Sequence, residues 1–80
     1  MNMFQPRNSF ASNHVTITPD DDHDLDTGMV IYCGSDGDIA VEDKDGVAVI
    51  YTVTAGDILP VVVHRVLEAG TSVTQIIGLY

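Results

Sequence analysis

Four aspartates at alternate positions, Asp20, Asp22, Asp24 and Asp26, are the part of this chain that most resembles a chemical site. Calcium takes oxygen ligands from a compact loop, and a carboxylate at every second residue can supply several of them. An EF-hand loop opening at Asp20 would carry Gly at position 25 and Glu at position 31, whereas the sequence has Leu25 and Ile31. The plainer expectation is a solvated acidic loop, because Asp suits turns. Other reactive side chains are scattered. Cys33 lies in an apolar run beside Ile31 and Tyr32, where a thiol packs as an inert hydrophobe. His14, His23 and His64 have no carboxylate at a fixed spacing to orient them, and they make no zinc ligand pair with the lone cysteine. No phosphate-cradling or dinucleotide motif occurs. The expectation is a protein that is not an enzyme and takes no cofactor.

Charge and size narrow the remaining classes. The chain has 80 residues and a formal net charge of −9. Ten of its twelve acids lie between residues 20 and 45, with Lys44 the single base among them. Binding to DNA or RNA needs phosphate neutralisation by Lys and Arg, and three such residues are too few. No window reaches 18 apolar residues, so no membrane span is expected. No signal peptide is read at the N-terminus, which predicts a protein that stays soluble in the compartment where it is made. A domain this small buries only about 60% of its unfolded surface. One cysteine cannot form an intrachain disulfide, so association with other copies is the expected supplement.

The elements that must position these residues read as strands. Residues 1 to 13 have no period and form either a disordered tail or an arm that orders on a partner through Phe4, Arg7 and Phe10. Residues 14 to 80 form the domain. His14–Thr18 alternates, with Val15 and Ile17 inward, and Met29–Cys33 is a short apolar run. Asp38–Glu42 and Val47–Val53 alternate around Asp43-Lys44-Asp45-Gly46, an Asp-Gly hairpin turn. Ile58–Leu67 and Val73–Tyr80 follow. Pro60 cannot donate a ladder hydrogen bond, so it marks an edge or a bulge. The predicted class is all-β: a small antiparallel sandwich or barrel of about six strands, oligomeric.

The last two strands carry the functional argument. A strand with one wet face alternates apolar and polar residues. Ile58–Leu67 instead has Leu59, Val61, Val63, Arg65 and Leu67 on one face and Ile58, Pro60, Val62, His64 and Val66 on the other. So small a domain has little interior for both, and the surplus face is expected to meet another chain. The expected subunit contact is Leu59, Val61, Val63, Arg65 and Leu67, with Ile77, Leu79 and Tyr80 from the final strand. Arg65, a charge among aliphatic neighbours, needs a partner or a place at the rim. It is expected either in a bridge to Asp57 or Glu68 of a neighbouring copy or at a solvated strand end.

The segment Thr54-Ala55-Gly56-Asp57-Ile58-Leu59-Pro60-Val61-Val62-Val63-His64-Arg65-Val66-Leu67, with the terminal Ile76 to Tyr80, resembles the head-spike base proteins of tailed phages and gene-transfer agents. Val15-Thr16-Ile17-Thr18-Pro19 looks like that family's opening strand, and Ile31-Tyr32-Cys33-Gly34 through Gly37-Asp38-Ile39-Ala40-Val41 like its hairpin. The resemblance covers roughly residues 15 to 80. The acidic Asp20–Asp26 stretch and the N-terminal arm depart from it. It implies a β-rich structural protein on the outer surface of a virion. Such a protein decorates the capsid as a vertex spike base or a cement protein. Its implied partners are its own copies, as a pentamer or trimer, the major capsid protein and a head fibre protein. The alternative expectation is a β-sandwich module that binds a small ligand or carbohydrate, with calcium in the acidic loop.

Overall fold

The computed structural model describes residues 11–80. Seven strands run in the order β1 (His14–Ile17), β2 (Met29–Cys33), β3 (Gly37–Glu42), β4 (Ala48–Val53), β5 (Ile58–Val63), β6 (Arg65–Leu67) and β7 (Ile76–Leu79). They form two antiparallel sheets, one ordered β1-β7-β2-β5 and the other β4-β3-β6. Among the described residues there is no helix. The all-β expectation holds, with seven strands rather than six.

The additional strand comes from a break at His64. The run from Ile58 to Leu67 reads as one strand, but β5 belongs to the four-stranded sheet and β6 to the three-stranded one. His64 makes the crossing: its N–H donates to the Glu42 carbonyl at 2.8 Å and its own carbonyl accepts from Leu25 N–H at 2.8 Å. The crossing also shifts the phase of the side chains. Leu59 and Val63 point between the sheets from odd positions, and Val66 does so from an even one. Part of the apparent two-sided apolarity is therefore two strands of opposite parity read as one. Pro60 lies on edge strand β5, where the register against β2 shifts between Met29 and Ile31, so it occupies both an edge and an irregularity.

The core lies between the sheets. Ile17, Met29, Ile31, Leu59 and Ile76 on one side meet Ile39, Val41, Val53 and Val66 on the other. Cys33 is fully buried, and burial pushes its thiol pKa upward, which fits packing and not reactivity. Val73 is buried although it precedes β7, so the final strand is shorter than the expected Val73–Tyr80. Gly78 sits in β7, flanked by β1 and β2, where a Cβ would run into Met29 Sδ and the side chain of Ile17. Asp43 fixes the β3–β4 hairpin: its Oδ1 accepts from Asp45 N–H at 2.8 Å and Val47 N–H at 3.0 Å, and these bonds lower its pKa. Gly46 completes that turn at φ 80°.

Candidate functional site

None of the residues in the four strands of the larger sheet is Asp, Glu, Lys or Arg. That sheet has an inner face on the core and an outer face that no described element covers. Cross-strand partners share a face, so the register identifies the outer one. Thr16 pairs with Ile77, Ile77 with Tyr32, and Tyr32 with Ile58. A second row runs from His14 through Leu79 to Val30. Val62 joins this face from β5. Exposure is 36% at Tyr32, 49% at Ile58 and 53% at Val62. The outcome is a largely apolar face without Asp, Glu, Lys or Arg on a protein of net charge −9.

The acids lie elsewhere. Asp38 and Glu42 are on β3 of the smaller sheet, and the loop from Asp20 to Asp26 is bound to β6. Asp20 N–H donates to the Val66 carbonyl at 2.9 Å, and Asp21 Oδ1 accepts from Glu68 and Ala69 N–H at 2.8 and 3.1 Å. The strands of the larger sheet thus carry no acid, while the smaller sheet and its loops hold most of the acids beside the exposed Ile50. A charge-free face adjoins a second chain with no charge to desolvate, whereas an acidic face remains favourably in water.

The expected contact residues divide between these surroundings. Ile77 and Leu79 stand on the outer face as half-buried side chains, and Tyr80 is exposed at its end. Tyr80 is tied down: its carbonyl accepts from Ser12 and Asn13 N–H at 3.0 and 2.8 Å, and its N–H donates to the Asn13 carbonyl at 3.0 Å. Leu59 and Val63 are in the protein's own core, and Val61 packs partly against it. These three were expected to face a second subunit. Alternation turns them inward and presents Ile58 and Val62 instead. Leu67 is half-buried in the smaller sheet. Phe4, Arg7 and Phe10 lie outside the described residues.

Arg65 has a partner within its own chain. Its Nε donates to Asp24 Oδ1 at 2.8 Å and its Nη1 to the Asp21 carbonyl at 2.9 Å. The expected intersubunit bridge to Asp57 or Glu68 is replaced by a clamp that holds the acidic loop on β6. Arg65 could not be assigned from the strand pattern because Asp24 is 41 residues away. Arg65→Ala is expected to lower Tm by roughly 4–8 °C, equivalent to about 1 kcal/mol for a half-exposed charged pair. The solution mass should not change, and a changed mass would return Arg65 to the subunit contact.

Two of the four calcium candidates have their carboxylates engaged in this loop. Asp20 Oδ1 accepts from Asp22 N–H at 2.8 Å, and its Oδ2 lies 2.9 Å from His23 Nδ1. Those two contacts lower its pKa, the backbone bond most. Asp24 is held by Arg65. Among the described residues no three His, Cys, Asp or Glu side chains converge as a ligand set. Of the four calcium candidates, Asp20 and Asp24 are thus engaged through their side chains within the chain's own loop, and Asp22 through its backbone N–H.

No family model and no curated protein matches the chain. A chain of a solved structure does: it comes from the capsid of a native gene-transfer-agent particle, computed with five-fold (C5) symmetry. The two share 38% identity over 88% of this chain and 83% of that one, with a TM-score of 0.80. That identity, over nearly the whole of both chains and on the same fold, places this protein in the family of that gene-transfer-agent capsid chain.

Proposed function

We propose that this protein is a non-enzymatic structural component of a phage-type virion. In this reading it decorates the outside of the capsid as a symmetric ring, with the outer face of the four-stranded sheet seated on the major capsid protein and the acidic side in solvent. The observation that carries the reading is the uncharged outer face of β1, β7, β2 and β5 in a family with a capsid member. A vertex ring of five and a cement trimer are the two closed forms this reading allows.

The mechanism is mechanical. A component that binds the assembled lattice and not free subunits shifts the equilibrium toward the intact shell. A ring engages several equivalent sites at once, so avidity gains of about 10²–10⁴ follow without stronger single contacts. Native mass spectrometry and co-sedimentation with shells assembled without this protein test both parts. The expected result is a closed ring that sediments saturably with shells. A pentamer would support the vertex form and a trimer the cement form. A monomer that stays in the supernatant would remove the proposal.

A further inference from the structure

A second apolar feature lies at the opposite edge of the sandwich from β1. Val49 and Tyr51 of β4 pair with Val41 and Ile39, which puts them on the core side of their sheet. They nevertheless remain 45% and 36% exposed. With Val61 of β5 they wall a groove of about 60 Å³, which Glu42 and Asp43 also line. The groove runs beside an edge strand that lacks the usual protections. Exposed edges are normally covered, charged or broken by Pro. The free edge of β6 is covered by the acidic loop, through the bonds of Asp20 and Leu25 to Val66 and His64. The β5 edge has Pro60. β4, with the sequence AVIYTV, contains neither a charge nor a proline and has β3 alone as a neighbour.

The chain contains a segment suited to this groove. Residues 1–10, MNMFQPRNSF, precede the described structure and contain no acid, one base (Arg7) and the apolar Met3, Phe4 and Phe10. Apolar side chains match the Val and Tyr walls, and Arg7 matches Glu42 and Asp43. The segment enters the fold at Ser12, bonded to Tyr80, next to β1. β1 and β5 are opposite edges of one sheet, roughly 14 Å apart at three strand spacings. A ten-residue segment spans up to about 33 Å. Copies arranged head to tail bring the β1 edge of one beside the β4–β5 edge of the next, which is the heterologous contact that closes rings. The same reach also spans the chain's own sheet, so the mass of a crosslinked product distinguishes the two paths.

We propose that residues 1–10 of one copy occupy the β4–β5 groove of the next copy in the ring. This rests on the ring reading above and gives the ring its linkage: each copy donates an arm from one edge and accepts one at the other. The test places p-benzoylphenylalanine at Phe4 of the full chain, irradiates the oligomer and maps the products by mass spectrometry. Expected is a product of twice the chain mass in which position 4 is joined to a peptide within residues 47–62. Its yield should fall at least tenfold when Val49→Asp is combined with the photoprobe. Val49 is an exposed side chain, and a thermal melt checks that this variant folds, with Tyr51→Glu as the second variant. Crosslinks within one chain, or to peptides outside that range in an intact oligomer, would overturn the proposal and leave the ring standing. A monomer by native mass spectrometry would remove the ring as well.

Discussion

Tyr32→Asp is expected to weaken attachment to capsid shells by about 10²–10³-fold per contact while the protein remains folded and the ring keeps its mass. Tyr32 stands at the centre of the outer face, between Ile77 and Ile58, away from both sheet edges. Seating that face on another protein would bury the new carboxylate with no cation nearby, because the four strands supply none. An uncompensated buried charge costs about 3–5 kcal/mol, and each 1.4 kcal/mol is about tenfold in affinity. The isolated fold depends little on this side chain, since its exposed surface faces solvent. The loss there is of order 1 kcal/mol of strand preference, a fall of about 4–8 °C in Tm. Co-sedimentation at graded shell concentrations measures the first effect and a thermal melt the second. Tyr32→Phe should bind as the parent does. Unchanged binding by Tyr32→Asp would mean that the shell meets a different surface.

Deleting Gly78, Leu79 and Tyr80 is expected to abolish the folded state rather than only the assembly. β7 lies between β1 and β2, so Gly78 and Leu79 serve two ladders: Val15 and His14 on one side, Ile31 and Val30 on the other. β1 has no other neighbour in its sheet. Its first half and the Ser12–Asn13 backbone would lose their partners together. Each buried backbone group left unpaired costs about 1–3 kcal/mol. A chain of this size has a total stability of about 4–12 kcal/mol. Several such losses exhaust it, and the truncated protein should aggregate without a cooperative melting transition. A soluble truncated protein with the parent's melting curve and mass would show that the terminal pairing contributes little.

Tyr32 and the C-terminal strand differ in how far the sequence reveals them. The C-terminal strand could be read because Ile76, Ile77 and Leu79 form an apolar run after a turn. β2 was readable as an apolar run, β3 by its alternation, the Asp43–Gly46 turn by its Asp-Gly pair and the edge or bulge role of Pro60 by its missing donor. Tyr32 did not stand out, because an apolar run such as Met29–Cys33 has no internal mark of which side faces out. Its neighbours on the outer face, Thr16, Ile77 and Ile58, come from three other strands, and only register brings them into one row. The groove was hidden similarly. Val49 and Tyr51 alternate as core residues do, and their exposure arises because β5 leaves the space opposite β4 partly open.

Local sequence pattern alone specifies an all-β domain, an excess of apolar side chains near its end and a concentrated acidic middle. Those follow from local pattern, since alternation, turn chemistry and charge spacing act over a few residues. Tertiary structure decided which apolar residues become core and which face outward, because inside and outside exist only after strands pair. It moved Leu59 and Val63 into the interior, gave Arg65 to Asp24 and Asp21, and divided Ile58–Leu67 between two sheets at His64. Each depends on a partner distant in sequence, and the lower free energy of burying one face while solvating the other is realised only when the whole sandwich has closed.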